Sequence, residues 1–353
     1  MKYKNYLFSL FVILIFSGLI IFLELYLRHS KPIINQSDEL LGWKLLPNLN
    51  LEFNQKNILR EEYKVSFKTN KRGSRFYGDE KNSELKILVM GDSMTNGPYA
   101  SNNDTWFSVF AKNLETKYNK KVYVESIGSG GYGNFQQYLL AKKVRNYINP
   151  DFVILQFCHN DFYNNTYEWE SKGVTRNQFI RRPYLINEKI YYHKGILKYL
   201  YNSKLFENVR LINRVDLFIS LLQSIIFNVT NVQVGMNDSS QNIETLNLKK
   251  KSVKNTNLIL SKLKKEFHDV DLFIFNMCGI VKSDSGMIEA NNYPFNTWQE
   301  LSINNDLIPL NFLKNINFKE ESFYKDAGHF SGIGNTHIGN ELFNHFLKLD
   351  KVK

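Results

Sequence analysis

The pattern of hydrophobic and polar positions divides the chain into one long apolar stretch, a polar region and a body of alternating elements. Residues 7–23 are apolar almost throughout, whereas residues 32–80 are polar with short alternating pieces such as 63–67. From Ile87 onward, short continuous apolar runs, which are typical of fully buried strands, alternate with amphipathic stretches of helical period. Strands that alternate with helices predict a parallel sheet covered by helices on both faces.

The predicted elements of this body follow one another closely. Strands are predicted over 87–90, 122–127, 151–157 and 272–277, and helices over 106–118, 135–148, 256–267 and 338–349. The pattern is looser between these elements in two places, and we interpret residues 162–250 and about 281–305 as insertions. Nothing in 162–250 suggests a second sheet, although 215–226 carry a helix-like apolar patch. This insertion either shapes a substrate cleft at the carboxyl edge of the sheet or serves as a partner-binding or packing element.

The amino-terminal apolar stretch predicts a membrane-spanning helix. Leu7 to Leu23 comprise 17 residues, which is near the minimum length for crossing a bilayer. Tyrosines flank the stretch on both sides, as they do at membrane interfaces, and no small-residue cleavage site follows it. We therefore expect an uncleaved signal anchor over 1–30, a connector over 31–84 and one large domain over 85–353, outside the cytoplasm.

Composition and charge exclude few classes of protein. Of the 353 residues 43% are hydrophobic, which favours a folded protein. The formal net charge of +11 comes from lysines spread along the chain. This charge either follows from the abundance of lysine alone, or it favours binding to anionic lipid headgroups or acidic glycans. There is no nucleic-acid-binding motif.

The two cysteines, Cys158 and Cys278, have no metal-ligand spacing. We expect them to be buried free thiols, and we expect no cofactor and no metal.

The first stretch with a chemical signature is Gly91-Asp92-Ser93, at the carboxyl end of a buried strand. Open α/β sheets bind their ligands at this edge, although the same tripeptide is also common in ordinary turns. A hydrolytic serine needs a base, a group that orients the base, and donors for the oxyanion. Three later stretches offer these groups. They are the glycine-rich turn 128–133, Cys158-His-Asn-Asp161 after the third strand, and Asp326-Ala-Gly-His329 near the carboxyl end.

These four blocks, in this order, resemble the SGNH hydrolase superfamily, also called GDSL esterases and lipases. The resemblance covers roughly residues 85–350 and implies a flavodoxin-like three-layer α/β/α fold. It also implies a serine esterase in which Ser93 is the nucleophile, His329 the general base and Asp326 the acid that orients it. The oxyanion hole would comprise the Ser93 and Gly131 amides and the Asn160 side chain. The chain departs from the family pattern at Cys158, where glycine is usual, and at Met94, where leucine is usual.

Several alternatives remain at this stage. Gly128, Gly130 and Gly133 also match the dinucleotide fingerprint G-x-G-x-x-G, but Asp151 precedes its strand and cannot reach a ribose there. His159 adjoins Asn160, yet in an extended segment the two side chains would point in opposite directions. Within the family, the chain is an esterase acting on carbohydrate or lipid O-acyl esters, an O-acyltransferase or deacetylase that modifies a cell-envelope polysaccharide, or an inactive glycan-binding module.

Overall fold

The structure is a computed structural model that describes residues 2–30, 32–171, 182–192, 209–211, 243–277, 280–283, 286–289, 297–326 and 328–349. The helices are α1 Lys2–Ser30, α2 Ser93–Asn96, α3 Trp106–Tyr118, α4 Asn134–Ile148, α5 His159–Asn164, α6 Tyr167–Glu170, α7 Ile243–Glu266, α8 Thr297–Asn304 and α9 Gly332–Leu347. The strands are β1 Asn35–Asp38, β2 Gly42–Leu45, β3 Asn50–Lys56, β4 Glu62–Lys68, β5 Arg75–Tyr77, β6 Leu85–Met90, β7 Val122–Ser126, β8 Phe152–Phe157, β9 Pro183–Ile186, β10 Lys189–Tyr192, β11 Asp271–Asn276, β12 Ile280–Ser283, β13 Gly286–Glu289 and β14 Ile308–Pro309.

A six-stranded sheet in the order β14-β11-β8-β6-β7-β5 forms the centre of the fold. The five strands from β14 to β7 run parallel, which confirms the predicted parallel α/β architecture. The outer strand β5 is antiparallel to β7 and comes from the region that we predicted to be a connector. The sheet is therefore mixed at one edge.

Alternating side chains of β6 supply both faces of the sheet, because successive residues of a strand point in opposite directions. Ile87 and Val89 belong to a buried cluster with residues of α3 and α9. Leu88 and Met90 belong to a second buried cluster with residues of α4 and α7. We predicted helices on both faces of the sheet from strands that, like β6, are apolar on both faces.

The region between α1 and the sheet is more ordered than predicted. It forms the small sheet β1–β2 and the long hairpin β3–β4. In β4 the side chains of Val65 and Phe67 are fully buried, in agreement with the alternation seen over 63–67. The partner strand β3 alternates only between exposed and half-buried positions, so its sequence carries little hydrophobic signal.

Other differences concern the insertion and the element ends. The described part of the insertion contains the antiparallel hairpin β9–β10, so the expectation of no second sheet was wrong there. The apolar patch 215–226 lies outside the described residues. The helix predicted over 256–267 begins at Ile243, and the one predicted over 338–349 begins at Gly332. The start of a helix cannot be predicted from hydrophobic periodicity where its first turns lack a clear apolar stripe.

The expectation of free thiols was also wrong, because Cys158 is disulfide-bonded. The chain has one other cysteine, Cys278, which lies outside the described residues. The two cysteines are 120 positions apart in sequence, but Phe157 at the end of β8 pairs with Asn276 at the end of β11. The register of neighbouring strands, which the sequence spacing does not reveal, brings the ends of these strands together.

Helix α1 contains a segment, Asn5–His29, that is long and apolar enough to cross a membrane. None of its apolar side chains is buried against the rest of the chain. Near its end, the Glu24 carboxylate accepts hydrogen bonds from the backbone N–H groups of Arg210 and Leu211, both at 2.8 Å. The last turns of α1 therefore contact the insertion.

Candidate active site

Ser93 begins the short helix α2, directly after the turn that ends β6. Asp92 caps this helix, since its Oδ1 accepts a hydrogen bond from the Met94 N–H at 3.0 Å. The buried Gln156 side chain of β8 accepts bonds from the Asp92 N–H at 3.2 Å and from Thr95 Oγ1 at 2.8 Å. The neighbouring central strand β8 thus holds the turn that carries Ser93.

Two glycines in the predicted motifs are required by close packing around Thr95. A Cβ atom on Gly91 would lie 2.2 Å from Thr95 Oγ1, and one on Gly128 would lie 2.7 Å from Thr95 Cβ. No side chain fits at either position without moving the nucleophile helix or its neighbour. These two glycines let the glycine-rich turn lie directly against the start of α2.

A chain of hydrogen bonds links Ser93 to the loop 326–329. His329 Nε2 lies 2.9 Å from Ser93 Oγ, and His329 Nδ1 lies 2.7 Å from Asp326 Oδ2. Because an ionised carboxylate only accepts hydrogen bonds, Nδ1 carries the ring proton and Nε2 accepts from the serine hydroxyl. The imidazole is therefore oriented so that Nε2, when it carries no proton, can take one from Ser93.

Local bonds keep the Asp326 carboxylate ionised. Its Oδ1 accepts hydrogen bonds from the N–H groups of Gly328 at 2.9 Å and His329 at 3.0 Å. Partial burial acts to raise the pKa of Asp326, but the bond and charge of His329 and the two backbone N–H groups outweigh it. The pKa of this carboxyl therefore lies below its ordinary value, as suits a group that must stay negative beside a histidine.

Asn160 is the second residue of α5, just after the end of β8, and it contacts the turn that precedes Ser93. Its Nδ2 donates to Asp92 Oδ2 at 3.2 Å. A side-chain amide nitrogen carries two hydrogens, so this bond orients the group and leaves a second donor for an oxyanion. Asp92 is 1% exposed, and burial raises its pKa against the opposing effects of Met94 and Asn160.

Gly131 lies in the glycine-rich turn with φ of 77°, a conformation that favours glycine. The turn is held by residues that the sequence motifs did not indicate. Trp43 Nε1 donates to the Gly130 carbonyl at 3.1 Å, and the buried Arg182 guanidinium donates to the Gly131 carbonyl. In the described part of the chain, the Gly131 and Ser93 N–H groups donate no hydrogen bond. Both are thus available for a substrate oxygen.

The loop that carries Asp326 and His329 is paired with the β3–β4 hairpin. The Ile58 N–H donates to the Phe323 carbonyl at 3.1 Å, and the Lys325 N–H donates to the Lys56 carbonyl at 3.2 Å. Inside the loop, the Tyr324 N–H donates to the His329 carbonyl at 2.8 Å. The hairpin therefore continues into the acid–base loop through backbone bonds.

Aromatic rings fill the space between this loop and the loop after α2. The rings of Tyr99 and Tyr324 stack with centroids 3.8 Å apart, and the Tyr99 ring lies 5.0 Å from that of His329. Tyr63 of the hairpin donates to the Tyr99 carbonyl at 3.0 Å. The histidine therefore rests against an aromatic pair that joins the two halves of the site.

Arg75 of β5 braces the loop after α2 from inside the protein. The side chain is fully buried and donates to the carbonyls of Asn96 at 2.8 Å and Ala100 at 2.9 Å. Burial lowers the pKa of Arg75 to about 9. Four carbonyl or amide oxygens surround its guanidinium, including Asn102 Oδ1 at 2.7 Å. The shape of this loop therefore depends on a strand outside the predicted domain.

The other histidine and aspartates considered in the sequence analysis lie in different local structures. His159 belongs to helix α5, not to an extended segment, and burial lowers its pKa to about 4. Asp161 accepts from the Cys158 N–H at 2.8 Å and braces the start of α5. Asp151 accepts from the Lys86 N–H at 2.7 Å, at the start of β8 and away from the glycine-rich turn. Among the described residues, no group of histidines, cysteines and carboxylates could hold a metal ion.

The structure thus brings Ser93, His329 and Asp326 into direct contact and places Asn160 beside them. It adds Gln156, Trp43, Arg75, Arg182 and Tyr99 as supporting residues that the sequence analysis did not identify. The apolar alternation of Leu41, Trp43 and Leu45 was the one sequence signal that could have indicated an ordered strand around Trp43. The buried arginines left no comparable signal.

Comparisons with known proteins give the following similarities. Residues 87–185 match the family model described as GDSL-like lipase/acylhydrolase. A solved family 3 carbohydrate esterase of Clostridium thermocellum is 14% identical, with 75% of this chain and 96% of that chain covered and a TM-score of 0.38. The psychrotrophic esterase EstA from Pseudoalteromonas sp. is 9% identical (75% and 98% covered, TM-score 0.41), and a lipase/acylhydrolase from Enterococcus faecalis is 12% identical (76% and 98%, 0.40). The search of curated proteins gave no match.

Proposed function

We propose that the chain is an ester-bond hydrolase, specifically a serine esterase with Ser93 as its nucleophile, and the match of residues 87–185 to the GDSL-like lipase/acylhydrolase family model supports this. The observation that carries this proposal is the continuous hydrogen-bond chain from Ser93 Oγ through His329 to Asp326, with contacts of 2.9 and 2.7 Å. A serine hydroxyl is a weak nucleophile on its own, and an adjacent oriented base activates it.

The reaction proceeds in two half-reactions. Ser93 Oγ attacks the ester carbonyl while His329 Nε2 takes the hydroxyl proton, and the proton then passes to the departing alcohol. This leaves an acyl group on Ser93. Water, deprotonated by the same nitrogen, attacks the acyl-enzyme and releases the acid. Asp326 stabilises the positive charge that the imidazole gains in each half-reaction.

Negative charge on the carbonyl oxygen requires fixed donors near Ser93. The Ser93 and Gly131 N–H groups and the second N–H of the Asn160 amide are the donors that we assign to this role. Asp92 holds the amide of Asn160 by a bond of 3.2 Å, so the donor does not have to reorganise during the reaction. Preorganised donors of this kind account for a large part of the catalysis of acyl transfer.

The substrate we propose is a short-chain O-acyl ester, such as an acetyl ester, on a carbohydrate or lipid outside the cytoplasm. Two observations support this location. Helix α1 is long and apolar enough to anchor the chain in a membrane, and Cys158 is disulfide-bonded, a state that persists mainly in oxidising compartments. The side chains of His329 and Asp326 are 25% and 39% exposed, so water reaches the site.

Labelling of the full chain in nonionic detergent with a fluorophosphonate tests the nucleophile. We expect covalent labelling at Ser93 and cleavage of a short-chain p-nitrophenyl ester, and both should disappear in Ser93→Ala. The exposed Ser171 provides a matched control, since Ser171→Ala should keep both signals. Labelling that survives Ser93→Ala would contradict the assignment.

The acceptor of the acyl group is tested by product analysis. An acetylated glycan donor is supplied with and without a second, unacetylated glycan, and the release of free acid is measured. Because the site is open to water, we expect free acid as the main product in both cases. Transfer of most acyl groups to the second glycan would instead identify an O-acyltransferase that shares the same first half-reaction.

A further inference from the structure

A second concave site lies between the first strands after α1 and helix α4. It is a cleft of about 460 Å³, within the usual size range of small-ligand sites. Its walls combine apolar and cationic side chains. The apolar ones include Leu40, Leu41, Leu139, Leu140 and Val144, and the cationic ones are Lys44, Lys71, Arg72 and Lys143.

Acidic side chains pair with some of the cations in this cleft but not with others. Lys44 pairs with Asp38 at 2.9 Å, and Arg72 pairs with Glu80 at 3.0 Å and with the buried Glu125. Lys71 and Lys143 are exposed and form no ion pair within the part of the chain that the structure describes. The cleft therefore presents two uncompensated ammonium groups beside an apolar surface, a combination that matches an anionic amphiphile.

The cleft is also close to the end of the helix that we place in the membrane. Asp38, on its wall, follows Ser30 at the end of α1 by eight residues. Even a fully extended chain of that length spans less than about 30 Å. The connecting chain therefore keeps this wall of the cleft within about 30 Å of the end of α1.

We propose that this cleft binds an anionic phospholipid of the anchoring membrane. The lipid phosphate lies between Lys71 and Lys143, and the upper part of the acyl chains contacts Leu40 and Leu140. The proposal rests on the membrane insertion of α1. It goes beyond the esterase assignment, because the cleft contains none of the catalytic residues.

The strand β2 contributes residues both to this cleft and to the support of the active site. Lys44 lines the cleft, whereas the neighbouring Trp43 is buried on the other side and donates to Gly130 of the oxyanion turn. Alternation along the strand directs the two side chains to opposite faces. A lipid seated in the cleft would therefore hold the domain on the membrane beside a strand that also supports the glycine-rich turn.

Calorimetric titration of the full chain in nonionic detergent tests the proposal. The probes are dihexanoyl phosphatidylglycerol, dihexanoyl phosphatidylcholine and inorganic phosphate. We expect the anionic lipid to bind at least about tenfold more tightly than the zwitterionic one, since each lysine near an anionic headgroup contributes measurably to binding. Inorganic phosphate should not compete, because it lacks the apolar contact.

Two charge-matched double variants locate the site. Lys71→Glu with Lys143→Glu should weaken binding of the anionic lipid by about tenfold or more, since two attractive charges become repulsive. Lys112→Glu with Lys117→Glu changes the net charge equally, on exposed positions of α3, and should leave binding within about twofold. Leu40→Gln, at a partly exposed apolar position, should weaken binding about threefold.

The outcomes separate this proposal from the others. Equal binding of both lipids, full competition by inorganic phosphate, or equal loss in the two double variants would each overturn it. Fluorophosphonate labelling of Ser93 should be unchanged in all these variants, so the esterase assignment is tested independently. Release of the full chain from membranes by alkaline carbonate would instead refute the anchor.

Discussion

The two halves of the proposed catalytic site are held in place in different ways. Ser93 and Asn160 follow the central strands β6 and β8, and the residues around them, such as Asp92 and Gln156, are buried. Asp326 and His329 lie on a surface loop, with side chains 39% and 25% exposed. The nucleophile half thus takes its position from the sheet, and the acid–base half takes its position from elsewhere.

The support of the acid–base half comes from the β3–β4 hairpin. Backbone bonds of Lys56 and Ile58 hold the loop on one side, and the stacked rings of Tyr99 and Tyr324 hold it on the other. Exposed loops open more easily than buried strand ends. The comparison therefore indicates that the proposed base depends on the β3–β4 hairpin, whereas the turn that carries Ser93 is held mainly by the buried Gln156 of β8 and by Arg75 of β5.

Removal of the base should have the largest effect. We expect His329→Ala to lower kcat by about 10⁴-fold or more, because Ser93 then has no proton acceptor. The measurement is hydrolysis of a p-nitrophenyl ester by the full chain. His337→Ala, in helix α9, should retain activity within about twofold. Equal losses in the two variants would contradict the assignment of the base.

Removal of the side-chain oxyanion donor should have the next largest effect. We expect Asn160→Ala to lower kcat by about 100- to 1000-fold, with a smaller change in KM, because the donor acts mainly on the transition state. Steady-state kinetics separate the two constants. A loss that appears only in KM would show that Asn160 binds the ester in its ground state instead.

Loss of the aromatic support should have a moderate effect that distinguishes the two halves. Tyr324→Ala removes the ring stacked on Tyr99, and we expect kcat to fall about fivefold, which corresponds to the usual contribution of an aromatic pair. Tyr324→Phe keeps the ring and should behave like the unmodified chain. If Tyr324→Ala leaves kcat unchanged, the hairpin bonds alone hold the base.

The two halves should also respond to pH in opposite directions. The folded pKa of Asp92 is raised, so its contribution to stability is complete below the unfolded pKa and is lost as the pH rises through the folded pKa. The folded pKa of Asp326 is lowered, so its contribution is present above the unfolded pKa and is lost as the pH falls through the folded value.

Melting temperatures of the full chain and of Asp92→Asn and Asp326→Asn, measured between about pH 3 and 8, test this difference. As the pH rises, the melting temperature of the unmodified chain should fall relative to that of Asp92→Asn. Over the same range, the melting temperature of the unmodified chain should rise relative to that of Asp326→Asn. We expect changes of about 2 to 4 °C, and changes of the same sign in both variants would be inconsistent with the two pKa directions.

Much of the central architecture was predictable because its elements carry simple periodic patterns. Helix α3 has the predicted bounds, and β8 and α4 differ from prediction by one residue at their starts. Buried parallel strands are continuous apolar runs, and their carboxyl ends share an edge, so the motifs after them were expected to meet. The contact between Ser93 and the loop 326–329 agrees with that expectation.

The supporting residues were not predictable for two physical reasons. Arg75 and Arg182 are charged, and a pattern argument places charged side chains on the surface, whereas here carbonyl oxygens and Glu170 compensate them inside. Strand β3 has only two apolar residues, Leu51 and Phe53, on its half-buried face, so its apolar alternation is short. Such elements are specified by tertiary contacts and not by periodicity.

The sequence by itself determined the alternating α/β body, the apolar amino-terminal helix and the four motif blocks of the proposed site, because local patterns of apolar, glycine and polar residues encode these features. Only the tertiary structure decided that Cys158 is not a free thiol, that β5 closes the sheet in the antiparallel direction, and that Trp43 and the β3–β4 hairpin hold the turn and loop of the active site. These features depend on pairing between distant segments, and pairing leaves no periodic trace in either segment alone.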